Sequence, residues 1–272
     1  MARRSYRVRF DGGNGFALAG IVDRDDAAAD APVVVFSHCF TCNKDLKAIV
    51  RIGRGLADAG VSVLRYDMTG LGGSEGDFSA TNFTTNLADL HAAVTFATEE
   101  LGPVDGLLGH SFGGAASMRT AAARSGDPLL RSLSSLITLA APSDTSHLAD
   151  LLVHMDPRID AVGEGEVNIG GRSWTITRQM VDDFRTARLT AAIPDIDVPT
   201  LILHSPVDET VRYDHAVRIL SLLNTRPDAD AIASLVTIPG GDHLLVREPR
   251  DLTFVADTIA AFVKRFSIRA RN

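Results

Sequence analysis

The sequence contains one serine in the surroundings of a nucleophile. Ser111 is the centre of GHSFG at residues 109–113, a G-x-S-x-G pattern between an apolar run and a run of small residues. Glycines two positions to either side leave space for a sharp turn from a strand into a helix, which pushes the serine Oγ out above a sheet. The start of that helix also directs unpaired N–H groups at the same place. The pattern predicts that Ser111 is a nucleophile; the alternative is a polar residue in a tight turn.

A serine hydroxyl needs a base to activate it, and the base needs an acid to orient it. His243 and Asp208 each stand in a loop after a predicted strand. A sharp strand-to-helix turn that carries a nucleophilic serine is called a nucleophile elbow, and the chain order Ser, Asp, His is typical of sites built on it. Asp242 is an alternative acid, but as the chain neighbour of His243 it could hardly reach the Nδ1 atom. We therefore predict Ser111, Asp208 and His243 as the catalytic residues.

The elements that must position these residues alternate between strands and helices. Predicted strands are 5–10, 16–22, 32–37, 61–66, 104–108, 136–140, 200–204 and 232–238; predicted helices are 46–60, 82–101, one from 112 onward, 211–223 and 252–266. Such an alternation is typical of the α/β class. It predicts a mostly parallel sheet of eight strands, with a hairpin at its start, helices on both faces and a site at the carboxyl ends of the strands.

Residues 143–198 break this alternation. They contain a predicted helix at 147–155, a predicted β-hairpin around Gly170 and Gly171, and a predicted helix at 178–189. We expect one domain over residues 1–272, with 143–198 as a small cap or lid above the strand ends; the alternative is a structural extension of the sheet. Trp174 and Met180 in this segment are predicted to contact the substrate.

Composition excludes several classes of function. The chain has 272 residues, 45% hydrophobic and 22% charged, with a net charge of −7, which does not favour a nucleic-acid partner. No apolar run reaches the length of a membrane span, and the N-terminal residues lack the apolar region of a secretory signal. We therefore expect a cytoplasmic protein that acts on a small molecule.

The two cysteines have the C-x-x-C spacing of a redox pair or of half a zinc site. Cys39 and Cys42 follow a predicted strand, but no second C-x-x-C supplies further zinc ligands. We expect them to be reduced and packed in the loop. A thiol-responsive protein, in which their oxidation distorts the loop, is the alternative.

The chain resembles the α/β-hydrolases over essentially its whole length, with the elbow, Asp208 and His243 in the matching places. More narrowly, three stretches resemble the hydrolase half of bacterial proteins that fuse an α/β-hydrolase to an OsmC-like peroxidase domain: HCFTCNKDL at 38–46, YDMTGLGGSEGDF at 66–78 and APSD at 141–144. No stretch corresponds to the OsmC-like domain, so the resemblance implies no peroxidase activity.

The resemblance also implies an oxyanion hole. By position, its two donors are the backbone N–H groups of Phe40 and Phe112. Cys39 stands where the family usually has glycine, and we expect His38 and Cys39 to border the substrate pocket.

Together these features predict a serine hydrolase that needs no metal or organic cofactor. The expected activity is that of a carboxylesterase, which cleaves small hydrophobic esters with a short acyl or an aryl group through an acyl-enzyme; the insertion also resembles that of feruloyl esterases in its placement. Thioesterase, acyltransferase, peptidase and cofactor-free haloperoxidase chemistry stay as alternatives, because they use the same triad. A non-catalytic ligand-binding module is the alternative outside enzymes. A homodimer and a separate OsmC-like partner also stay open.

Overall fold

The computed structural model describes residues 3–27, 30–225 and 232–267. Its strands are β1 (Arg3–Asp11), β2 (Ala17–Asp25), β3 (Val33–Ser37), β4 (Ser62–Tyr66), β5 (Gly106–His110), β6 (Ser135–Leu139), β7 (Glu164–Ile169), β8 (Arg172–Thr177), β9 (Thr200–His204) and β10 (Ala233–Thr237). Its α-helices are α1 (Lys47–Asp58), α2 (Phe83–Leu101), α3 (Phe112–Ala122), α4 (Ser146–Met155), α5 (Arg158–Val162), α6 (Arg178–Thr186), α7 (Leu189–Ala192), α8 (Asp214–Leu223) and α9 (Pro249–Phe266). None of the helices in these ranges is long and apolar enough to cross a membrane.

Eight strands form the central sheet in the order β1-β2-β4-β3-β5-β6-β9-β10. The β1–β2 and β2–β4 pairs are antiparallel, and the other five pairs are parallel. Every residue of β3, β4, β5, β6 and β9 is buried, as expected for strands covered on both faces. The predicted α/β-hydrolase fold, with its mostly parallel eight-stranded sheet, is therefore confirmed.

Alternate strand residues enter two separate cores. On β3, Val33 and Val35 pack on the side that α2, α3 and α8 cover, whereas Val34 and Phe36 pack against α1 and α9. This division follows from the two-residue period of a strand. Because both faces are filled by helices, the loops at the carboxyl edge of the sheet remain the open place for a site.

The segment inserted between β6 and β9 contains α4 to α7 and a hairpin of its own. β7 and β8 pair only with each other in the described residues, with Val167 opposite Trp174. Gly170 and Gly171 form the two-residue turn with φ of +62° and +78°, values that a primed turn requires and that glycine adopts without strain. The predicted hairpin and the helix at 147–155 are therefore present.

Two details of this segment differ from expectation. The predicted helix at 178–189 ends at Thr186, because Arg188 adopts a left-handed conformation with φ of +49° and the next helix begins at Leu189. Helix α5, a single short helix, was not predicted. Five residues are too few for a helical period to stand out from a loop.

Candidate active site

Ser111 lies at the turn between β5 and α3, in the strained conformation expected of an elbow. Its φ is +53°, which is unusual for a residue with a side chain. A Cβ on Gly109 would lie 2.2 Å from the carbonyl oxygen of Gly113, and one on Gly113 would lie 2.3 Å from that of Ser37. The two glycines are therefore required by close backbone contact, and the turn they permit raises Ser111 at the N-terminus of α3.

The structure brings the three predicted catalytic residues together. The Nε2 atom of His243 lies 3.0 Å from Oγ of Ser111, and its Nδ1 atom lies 2.8 Å from Oδ2 of Asp208. Ser111 follows β5, Asp208 follows β9 and His243 follows β10, so three loops at one edge of the sheet contribute one residue each. This geometry allows the imidazole to accept the serine proton while the carboxylate orients the ring.

Asp208 is held as an anion. Burial alone raises the pKa of its carboxyl, but the hydrogen bond and charge of His243, with the N–H groups of Val211 and Thr210, lower that pKa below its usual value. Both N–H groups donate to Oδ1 at 2.9 Å. Oδ1 of Asp242 accepts instead from the N–H groups at 246 and 247, so the alternative acid is engaged in its own loop.

The two residues predicted to supply the oxyanion donors are neighbours in the structure. The rings of Phe40 and Phe112 are 5.5 Å apart, and both residues line the cavity that contains Ser111. Neither backbone N–H has an acceptor among the described residues. Two unpaired donors beside a serine are the arrangement that a tetrahedral oxyanion needs.

The loop that carries Phe40 is fixed at both ends by buried polar groups. At one end, His38 donates from Nδ1 to the carbonyl of Cys39 at 2.7 Å and accepts at Nε2 from the N–H of Met68 at 3.1 Å. At the other end, Asp67 accepts from the N–H of Lys44 at 2.6 Å and pairs with its Nζ at 2.8 Å. The position of the Phe40 N–H is thus set by its anchors.

An ion pair beneath the loop adds to this anchoring. Arg65 is nearly fully buried and pairs through Nε with Oδ2 of Asp23 at 2.6 Å. Its NH1 group donates to the carbonyl of Lys44 at 2.7 Å.

Two further histidines hold the other loops, and sequence analysis missed both. His110 donates from Nε2 to the carbonyl of His243 at 2.8 Å, and His204 donates from Nε2 to the carbonyl of Val211 at 2.8 Å. Burial, followed by the charge of His243, lowers the pKa of His110 to about 3; burial also lowers the pKa values of His38 and His204. All three rings are therefore neutral at pH 7. The only signal in the sequence was their place at or just after a strand end.

Cys39 and Cys42 are joined by a disulfide, which corrects the expectation that they are reduced. A turn in the loop, closed by a hydrogen bond of 3.2 Å from the Cys42 N–H to the Cys39 carbonyl, brings the two Cα atoms to 5.2 Å. That separation lies within the range a disulfide spans. Sequence spacing alone could not show that the loop folds back in this way.

A cavity of about 820 Å³ opens beside Ser111. Of the four residues expected to border the substrate, Cys39 and Trp174 line this cavity, together with apolar side chains of α4 and β7: Leu148, Leu151, Met155 and Ile169. His38 and Met180 do not line it. His38 is buried beneath the loop it anchors, and Met180 is buried on the inner face of α6 beside Val181 and Phe184. In the described ranges, no group of three or more His, Cys, Asp or Glu side chains is arranged to hold a metal ion.

Comparison with known proteins agrees with this architecture. The model of the alpha/beta hydrolase family matches residues 34–256 of the chain. The chain belongs to the alpha/beta hydrolase family. The family match concerns the hydrolase alone and shows no OsmC-like domain. The search of curated proteins found no match in sequence.

Several solved structures resemble this hydrolase over nearly their whole length. The esterase domain of a Rhodothermus marinus protein is 32% identical, with a TM-score of 0.74 over 97% of this chain and 99% of that one. Est1E from Butyrivibrio proteoclasticus, solved with ferulic acid bound, is 24% identical with a TM-score of 0.74 over 95% and 99% of the two chains. A putative hydrolase from Agrobacterium vitis S4 is 22% identical with a TM-score of 0.77 over 97% and 100%. The last two show the fold alone.

Proposed function

We propose that this hydrolase is a serine carboxylesterase that cleaves small hydrophobic esters through an acyl-enzyme. The observation that carries the proposal is the continuous hydrogen-bonded path from Oγ of Ser111 through His243 to Asp208. The similarity to the Rhodothermus marinus esterase domain, at 32% identity over nearly all of both chains, supports an ester as the substrate.

In the proposed mechanism, Nε2 of His243 takes the proton of Ser111 as Oγ attacks the ester carbonyl. The negative charge on the carbonyl oxygen is stabilised by the N–H groups of Phe40 and Phe112, and Asp208 stabilises the imidazolium. The imidazolium then protonates the departing alkoxide, which leaves an acyl group on Ser111. Water, deprotonated by His243, attacks the acyl group and releases the acid and the free serine.

The shape of the cavity supports a hydrophobic substrate. Phe40 and Trp174 line the cavity, and both rings pack against the buried ring of Phe78, at centroid distances of 5.3 Å and 4.8 Å. Aromatic and aliphatic walls of this kind favour an apolar or aryl group by burial and by ring contact. The inserted segment supplies Trp174 and the α4 side chains, so in this proposal it acts as a cap that selects the substrate.

The experiment is hydrolysis of p-nitrophenyl esters of increasing acyl length by wild type, Ser111→Ala and Ser117→Ala. Ser117 lies on the same helix, and its Oγ donates to the carbonyl of Gly113, so it is a matched serine away from the reaction. We expect turnover by wild type and Ser117→Ala, and a loss on the order of 10⁴-fold or more in Ser111→Ala. Turnover of thioesters or peptides but not of oxygen esters would favour the alternatives. The proposal would be contradicted if wild type turned over none of these substrates and no ester competed with another for binding to it.

A further inference from the structure

The inner face of the β7–β8 hairpin carries one charged residue among apolar ones. Paired positions share a face, so Val167 with Trp174 and Ile169 with Arg172 face the same way. The other face carries exposed polar side chains such as Glu166 and Thr175. Arg172 therefore occupies a position on the apolar face of the hairpin, where the alternation of polar and apolar residues along β8 predicts an apolar side chain.

Arg172 lines the cavity of Ser111, and so does a second cation on another element. Lys47, the first residue of α1, lies on the same cavity as Arg172, Trp174 and His243. Neither cation has a hydrogen-bond or ion-pair partner among the described residues. The one carboxylate of the lining, Asp45, is already paired with Lys44 at 3.0 Å and lies 3.5 Å from NH1 of Arg65.

We infer that this hydrolase takes esters whose acyl group ends in a carboxylate, held by Arg172 and Lys47 while the ester carbonyl lies at Ser111. This inference rests on the proposed function and names the substrate class of the same site. An arginine fork and an ammonium group both donate to a carboxylate, and the aromatic and aliphatic residues of the same lining suit the methylene chain that joins the two ends. The whole chain carries a net charge of −7, so its overall charge disfavours anions and a preference for one requires these local cations.

The test uses ester pairs of equal length that differ only in the far end. These are p-nitrophenyl hydrogen adipate against p-nitrophenyl hexanoate, and the suberate monoester against the octanoate, each corrected for hydrolysis in buffer. For wild type we expect a KM about tenfold lower for the anionic member of at least one pair, and a preference that shrinks as salt is added.

The variants are Arg172→Gln, Lys47→Gln and, as a control, Arg131→Gln, which changes an exposed arginine outside the cavity lining. We expect Arg172→Gln and Lys47→Gln each to raise KM for the anionic ester about fivefold to tenfold more than KM for the neutral ester. Arg131→Gln should leave both esters unchanged.

Two results would overturn the inference while leaving the proposed function intact. One is wild-type turnover of both esters with no preference for the anionic one. The other is an equal change for anionic and neutral esters in the Arg172 and Lys47 variants. Failure of wild type to cleave either ester would instead overturn the proposed function, and this inference with it.

Discussion

The loops at the carboxyl edge of the sheet and the segment inserted between β6 and β9 border the same cavity, but they are held in different ways. Buried polar groups fix the loops, such as Asp67 under the Phe40 loop and His110 behind His243. The inserted hairpin pairs only with itself in the described residues, and the segment meets the main body partly through exposed contacts such as Thr84 with Asp183 at 2.6 Å.

This difference suggests different roles for the two regions: the loops would position the reacting groups, and the inserted segment would select the substrate. The reacting atoms require positions fixed within fractions of an ångström, and buried hydrogen bonds that cannot exchange with water supply them. The cavity wall that we propose to contact the substrate tolerates more variation, since apolar contact is not directional. We therefore expect changes at the sheet edge to affect kcat and stability, and changes in the inserted segment to affect KM.

The largest effect is expected from Asp208, the proposed acid of the triad. Asp208→Asn should lower kcat by about 10⁴-fold, because an amide favours the wrong tautomer of His243. Asp242→Asn is the matched control, because an asparagine keeps the Oδ1 acceptor that serves its own loop. Steady-state kinetics with a p-nitrophenyl ester measures both. Equal losses in the two variants would contradict the assignment of Asp208.

The two regions should also differ in the cost of losing an ion pair. Asp67→Ala leaves Nζ of Lys44 with only the exposed Asp45, so we expect a loss of about 3–5 kcal/mol in the free energy of unfolding. Asp160→Ala, which removes the exposed pair with Arg185 in the inserted segment, should change it far less. Urea unfolding of the two variants measures both losses. Similar losses would show that the buried ion pair under the Phe40 loop stabilises the fold no more than the exposed pair does.

Stability should depend on pH through the neutral histidines of the sheet edge. The pKa values of His38, His110 and His204 are lowered in the folded protein, so below about pH 6.5 the unfolded chain binds more protons than the folded one. Stability is thus full above that pH and is lost as the pH falls, by up to about 1.4 kcal/mol per pH unit for each histidine.

His110→Gln tests this dependence. Between about pH 7 and pH 4.5, the free energy of unfolding in urea should fall less steeply in the variant than in wild type. The difference in slope should correspond to one proton fewer bound on unfolding. An unchanged slope would show that folding does not lower the pKa of His110.

A smaller effect is expected on the cavity wall. Trp174→Ala removes the ring that packs on Phe78 and should raise KM for an aryl ester about fivefold with little change in kcat. Thr175→Ala, next to it on the outer face of the hairpin, is the control. A fall in kcat without a change in KM would place Trp174 with the reacting groups.

The smallest effect is expected from the disulfide. His38 and Asp67 hold the ends of the Phe40 loop through backbone groups of Cys39 and Lys44, so these anchors do not depend on the disulfide. We therefore expect treatment with a dithiol to change ester turnover little, as measured with and without the reductant. A large, reversible loss of activity would instead establish a thiol-responsive hydrolase.

Sequence analysis was most successful where a local steric reason acts. The elbow glycines, the hairpin turn at Gly170 and Gly171, and strand β9 at Thr200–His204 were all predicted, because a backbone conformation or a continuous apolar run dictates them. The order and spacing of Ser111, Asp208 and His243 then sufficed to expect their meeting, since carboxyl ends of parallel strands share an edge.

What was missed depends on partners distant in the chain. His110 bonds to a carbonyl 133 positions away, and Asp67 anchors Lys44 across 23 positions. The hydrophobic periodicity of a helix or strand gives no information about such distant pairs. The break at Arg188 and the buried position of Met180 likewise result from how the inserted segment packs.

The most direct test of Ser111 as the nucleophile is mass spectrometry of the protein after reaction with a fluorophosphonate, followed by mapping of the labelled peptide. We predict a single adduct on Ser111, which is absent in Ser111→Ala and forms much more slowly in His243→Ala. An adduct on another serine, or none on a folded protein that still cleaves esters, would contradict the claim that Ser111 is the nucleophile.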